Sequence, residues 1–195
     1  MSDQVLWYAT RGAGAVSLVL LTLVVVLGVL SSTRFQAAGW PRFLTTGLHR
    51  NLALVTLVFL GLHIVIAVVD PFTHLGWTAA VFPFSSYYRT LWLGLGTIAA
   101  ELIVAVTITS LARGLIGLRA WRAIHWLTYA AWPIGVIHGL GTGTDAWAAW
   151  FIGLTCGCVA AVGFAVAYRV AVASPDALAA HRSGYESAVD RRTGR

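Results

Sequence analysis

The chain contains no lysine, and charged residues of any kind make up only 10% of its 195 positions. A soluble domain uses about 25% charged residues to cover its water-facing surface. This chain cannot cover one, which excludes a soluble globular enzyme. Cysteine is scarce too. Cys156 and Cys158 both lie inside an apolar run, and residues two apart on a helix point to different sides. Neither a disulfide framework nor a zinc site can be built from that pair. What the chain has in abundance is apolar surface: 58% of residues are hydrophobic and the mean hydropathy is +0.79. Long uncharged runs of this kind mark an integral membrane protein.

Five apolar segments follow one another, at Gly14–Leu30, Gly47–Val69, Leu91–Leu111, Ile124–Leu140 and Ala146–Ala173. Each approaches the ~20 residues that cross a hydrocarbon core about 30 Å thick. In lipid the backbone must satisfy itself within the segment, so all five are expected to be helical. The first is too long for the apolar part of a cleaved signal peptide, and more of its flanking arginines follow it than precede it. The expected fold is an all-α integral membrane protein, a five-helix transmembrane bundle. Residues 1–173 form the membrane domain and 174–195 a polar tail.

Arginine sets the orientation. The first and third loops and the tail share one side of a five-span topology. They carry Arg34, Arg42, Arg50, Arg113, Arg119, Arg122, Arg169, Arg182, Arg191, Arg192 and Arg195, against Arg11 and Arg89 on the other side. The positive-inside rule then predicts the N-terminus outside and the C-terminus in the cytoplasm. The net charge of +6 records this orientation and contact with the lipid bilayer, and no nucleic acid is needed to explain it.

Four histidines carry the chemistry. His49 and His63 bracket the second segment, fourteen residues apart, and His125 and His138 bracket the fourth, thirteen apart. The two helices run parallel, and at 1.5 Å per residue the separations are about 21 Å and 20 Å. Two levels result, each offering one imidazole from each helix. A planar macrocycle with two axial positions suits this, whereas a tetrahedral metal would want more ligands at one level. The expectation is two bis-histidine haems stacked across the bilayer, His49 with His125 inside and His63 with His138 outside. Rotation suits His49 and His63, but thirteen residues leave His138 about 140° from His125, with Pro133 between them as a possible source of distortion.

Neighbouring residues extend this reading. Gly47, Gly61, Gly135 and Gly139 would let a flat ring approach the helices, or simply serve helix packing. Arg50 and Arg122 could neutralise the propionates of an inner haem, and Arg89 those of an outer one. Trp132 and Phe59 lie between the two levels, either as core or along an electron path. Glu101 lies midway along the third segment, where a carboxylate is costly. It marks a proton or ligand pathway, or is a neutral, hydrogen-bonded group facing the bundle. His74 and His181 are read as solvated. The aromatic loop Asp70 to Arg89 forms an interfacial belt or a lid.

His-x13-His on one helix and His-x12-His two helices later resembles the ferric reductase-like transmembrane domain superfamily. Its members include ferric reductases, the NADPH oxidases and the haem-binding subunit of the bacterial methionine sulfoxide reductase system. Tyr88-Arg89-x2-Trp92-x-Gly94, Trp121-Arg122-x2-His125-Trp126 and His138-Gly139-x-Gly141 resemble small actinobacterial members, and the absence of lysine suits a GC-rich genome. The resemblance spans about residues 10 to 172. It implies two b-type haems, cytochrome b-like, with iron bound by His49, His125, His63 and His138. Electrons would pass from a cytoplasmic donor to an acceptor outside, an extracytoplasmic protein or ferric iron. Five spans rather than six would be a departure from the family plan.

Asp70-Pro71-Phe72-Thr73 echoes a flavin motif but falls on the outer side, and the glycine-rich stretch from Gly139 to Thr144 has no preceding strand and no lysine. With about 20 residues after the last span, no flavin or NAD(P) domain is expected. Reductant would come from a separate cytoplasmic flavoprotein reductase or a membrane quinol. The expected function is thus transmembrane electron transfer by an oxidoreductase component in the plasma membrane. The alternative is a haem-free transporter subunit or assembly factor whose histidines bind a transition metal or pack.

Overall fold

A computed structural model describes residues 2–33, 35, 40–71, 73, 75–143 and 145–173. Arg34, His74 and Thr144, the expected tail 174–195 with His181 and its four arginines, and the side chain of Arg42 fall outside the described residues. Eight helices occur in order among those described: α1 (Ser2–Ser32), α2 (Arg42–Val69), α3 (Trp77–Val81), α4 (Thr90–Leu111), α5 (Arg113–Ile116), α6 (Leu118–His125), α7 (Thr128–Thr142) and α8 (Ala149–Val172). Four of them, α1, α2, α4 and α8, are long and apolar enough to cross a membrane.

Hydroxyl side chains enter these apolar helices by bonding back to their own helix. Ser17 donates to Ala13 O at 2.8 Å, Thr22 to Leu18 O at 2.8 Å, Thr56 to Leu52 O at 2.7 Å and Thr107 to Ile103 O at 2.8 Å. Each satisfies the hydroxyl proton without a partner helix.

The fifth expected span takes a different form. Ile124–Leu140 is not one helix: α6 ends at His125, residues 126 and 127 turn, and α7 begins at Thr128. The 15 residues of α7 rise about 22 Å, short of the hydrocarbon thickness. At the break the backbone bonds tighten to three-residue spacing, Leu127 N to Ile124 O at 2.9 Å, Tyr129 N to Trp126 O at 3.1 Å and Ala130 N to Leu127 O at 3.0 Å. A helix wound at three residues per turn rotates about 120° per residue. This extra rotation brings His138 back toward the face of His125. Pro133 remains inside a continuous α7, so the break at Trp126 and Leu127 contributes to the change of phase, the extra ~20° per residue over a few residues covering about half of the 140°.

Helix α1 is the centre of the packing, with α2 along one side and α7 and α8 along the other, while α4 packs on α7. Val25 of α1, Trp132 and Val136 of α7, and Cys158 and Val162 of α8 form the core. Trp132 donates its indole N–H to Thr22 Oγ1 at 3.0 Å. It is a core residue joined to α1. Cys158 belongs to the same core, whereas Cys156 is exposed.

Polar contacts fix the two ends. At one end the guanidinium of Arg11 pairs with Asp145 and lies over the Trp7 ring at 4.3 Å. At the other, Arg169 donates to Tyr129 Oη at 2.7 Å and to Ser32 Oγ at 3.3 Å, and faces the Trp126 ring at 5.2 Å. The start of α7 therefore lies with the ends of α1 and α8.

Candidate functional site

Helices α2 and α7 are not packed on one another. They face each other across a gap, and their histidines approach across it. The His63 and His138 rings are 6.3 Å apart, centre to centre, with planes at 80°. His49 and His125, the latter at the last position of α6, are 6.2 Å apart at 63°. All four expected residues thus come together in the expected pairs.

Their hydrogen bonds decide which ring nitrogen is free. His63 Nδ1 is 2.8 Å from Thr10 O, His49 Nδ1 2.9 Å from Val24 O, and His138 Nδ1 2.8 Å from Trp92 O. A carbonyl oxygen can only accept, so each Nδ1 carries the proton and each Nε2 keeps its lone pair. Metal-ligating histidines are oriented by such a bond from the far nitrogen.

Glycines make these bonds possible. A Cβ on Gly14 would lie 2.9 Å from His63 Cε1, and one on Gly28 3.2 Å from His49 Cε1. At Gly96 a Cβ would overlap the His138 ring outright. These glycines belong to α1 and α4. Nothing lies within 4 Å of a Cβ on Gly47, Gly61 or Gly135, and Gly139 meets Phe151, so the close glycine–histidine contacts come from the backing helices and not from the histidines' own.

A cavity of about 270 Å³ surrounds the His63–His138 level, lined by α1, α2, α4 and α7. Its walls include Leu18, Leu60, Ile103 and Gly135, and polar groups such as Arg11, Asp145 and Tyr88 gather at one end. Helix α3 contributes Ala79 and Ala80 to the wall and is tied to α4 by Thr97 Oγ1 donating to Ala79 O at 2.8 Å. Trp77, Phe82 and Tyr87 of this segment are exposed, whereas the Phe84 ring, though partly exposed, rests on Gly94 of α4.

The residues fit a haem. A metal about 2 Å from an imidazole nitrogen on each side separates the ring centres by roughly 6 Å, close to what both pairs show. Among the described residues no group of three or more His, Cys, Asp or Glu gathers as a metal site. Two ligands per level suffice only where a macrocycle supplies the others.

Residues 13–136 match the family model described as ferric reductase like transmembrane component. The chain belongs to that family. The matched stretch contains His49, His63 and His125, and His138 lies two residues beyond it. No curated protein and no solved structure matches the chain. Family membership and four long apolar helices make this a multi-pass membrane protein, and the family points to transmembrane electron transfer.

The remaining candidates are arranged as follows. Arg50 and Arg122 are exposed beside the His49–His125 level. Arg89 donates to Gly141 O at 2.6 Å, and Gly141 in turn abuts the Trp92 ring, which joins the two glycine-containing motifs at one end of the bundle. Phe59 is half-buried. Glu101 is exposed on α4, so of its two readings the one that turns it toward the bundle interior does not hold. The backbone carbonyls of Thr10, Val24 and Trp92 were missed by sequence reasoning, because every residue type presents a carbonyl.

Proposed function

We propose that the chain carries electrons across the plasma membrane through two b-type haems, one held by His49 and His125 and the other by His63 and His138. The observation that carries this is the repetition of one geometry at two levels: paired rings about 6 Å apart, at 6.2 and 6.3 Å. Three of the four tautomers are fixed by backbone carbonyls. When bound, each haem supplies a one-electron iron couple. The chain's own residues hold the rings, present Nε2 lone pairs, exclude water with apolar walls and set the two levels about 21 Å apart along α2.

In this reading α6 and α7 together make a fifth crossing, because Tyr129 lies at the Arg169 end while α7 continues past His138 toward the Arg11 end. The eleven arginines against two support an outer N-terminus and a cytoplasmic Arg169 end. Residues 1–173 are then the haem-binding membrane domain, with 174–195 on the cytoplasmic side. Arg50 and Arg122 supply positive charge for carboxylates at the inner level and Arg89 at the outer. Electrons enter from a separate flavoprotein or a membrane quinol and leave to an extracytoplasmic protein or ferric iron.

The optical spectrum of the purified protein tests the reading. A Soret band, a sharp reduced α-band and two haems per chain are expected. A colourless preparation from haem-replete cells would overturn it and leave a haem-free transporter subunit or assembly factor.

A further inference from the structure

Three histidines are seated in one way and the fourth in another. His63, His49 and His138 each lie on a glycine, and each Nδ1 donates to the carbonyl four residues before that glycine: Gly14 and Thr10, Gly28 and Val24, Gly96 and Trp92. Gly14 and Gly28 are fourteen residues apart, and fourteen after Gly96 comes Ser110. The carbonyl four residues before Ser110 belongs to Val106, and it is already taken. Ser110 Oγ donates to Val106 O at 2.7 Å. Trp121 Nε1 is 3.2 Å from the same Oγ, and His125 Nδ1 is 3.4 Å from it. The Trp121 ring also lies against His125, with centres 5.0 Å apart.

Counting protons leaves one arrangement. The carbonyl only accepts, the indole N–H only donates, and a hydroxyl has a single hydrogen. With that hydrogen committed to Val106, Oγ offers only lone pairs to Trp121 and His125. Nδ1 of His125 must therefore donate, and its Nε2 is left with the lone pair.

We propose that Ser110 is the positioning residue of His125, fixing its Nδ1–H tautomer through a hydroxyl that Val106 and Trp121 hold in place. The proposal rests on the dihaem reading above. The hydroxyl contact is longer and weaker than the carbonyl bonds of the other three histidines, so it lends the ring less basicity. A less basic axial ligand favours the oxidised iron less. Compared with a carbonyl contact, this one therefore leaves the midpoint potential at the His49–His125 level higher, though lower than with no acceptor at all.

Potentiometric titration of the purified protein, followed at the reduced α-band, tests this. The relevant component is the one missing from His125→Ala. Ser110→Ala removes the acceptor while its Cβ keeps the ring off Val106, and it should move that midpoint upward. Ser110→Gly frees the Val106 carbonyl and copies the other three sites, so it should move the same midpoint downward. Ser110→Thr keeps the hydroxyl and should stay near the wild type, and the second component should be unmoved throughout. A purely structural role would move the Ala and Gly variants in the same direction, and that result, or no shift in either, overturns the proposal. If Ser110→Ala loses the component altogether, its retention in the Gly and Thr variants supports the proposal and its loss in all three overturns it. A wild type without haem would instead overturn the dihaem reading.

Discussion

His63 reaches out of α2 to the carbonyl of Thr10, 2.8 Å away on α1, with its ring resting on Gly14 one helical turn later. Ring, carbonyl and glycine form a unit that needs all three parts. Without a Cβ at the glycine the Cε1–Nδ1 edge of the ring can close on the backing helix, and only then does Nδ1 come within range of the carbonyl.

The first prediction grades that unit. Gly96→Ala should be the most damaging of the alanine replacements, since its Cβ overlaps the His138 ring. Gly14→Ala should follow, and Gly28→Ala, at 3.2 Å from His49, should be mildest. Gly61→Ala should leave haem content unchanged, because nothing lies within 4 Å of its Cβ. Haem per protein by pyridine haemochrome checks the order, and equal loss in all four would show that the seating does not matter.

Much of this site was legible in the sequence because imidazole is rare within a span and its spacing repeats. The backing glycines carried a signal too, since Gly14 and Gly28 share the fourteen-residue step of His49 and His63. The break at Trp126 and Leu127 left none, for neither residue is a glycine or proline and Pro133 drew attention instead. Glu101 could not be oriented because α4 is apolar nearly all round. With no polar stripe, periodicity does not say which face turns inward.

Replacing the four histidines one at a time separates the proposed levels. His63→Ala or His138→Ala should lose one haem and leave the other, while His49→Ala or His125→Ala should lose its counterpart. Two haems retained by all four variants would exclude these residues as ligands.

Orientation has its own readout. A reporter active only in the cytoplasm should work when fused after Arg195 and fail when fused at Asp145. The reverse pattern would exchange the inner and outer labels and leave the histidine pairing untouched.

Trp132 provides a stability measurement. Its N–H bond to Thr22 joins α7 to α1 at 3.0 Å, and interhelical hydrogen bonds in membranes average about 0.6 kcal/mol and reach ~1.7. Trp132→Phe keeps most of the core contact and should cost about that much in detergent unfolding. In a double-mutant cycle with Thr22→Val, zero coupling would assign Trp132 to packing alone.

The last prediction concerns the donor. Arg113, Arg119 and Arg122 are exposed on α5 and α6, and these helices adjoin His125, a proposed ligand near the proposed cytoplasmic face. A cluster of one sign steers an oppositely charged partner and raises its encounter rate by about 10–10³-fold at low salt. Raising ionic strength from 0.1 M to 1 M shortens the screening length from about 10 Å to about 3 Å and should remove most of that gain. Stopped-flow reduction by an acidic flavoprotein should therefore slow about tenfold or more over this range, and Arg119→Gln with Arg122→Gln should flatten the dependence. A quinol carries no such charge and reaches the chain through the lipid, so its reduction rate should barely respond to salt. A salt-independent rate with the flavoprotein, alongside rapid reduction by a quinol, would assign electron delivery to the membrane pool.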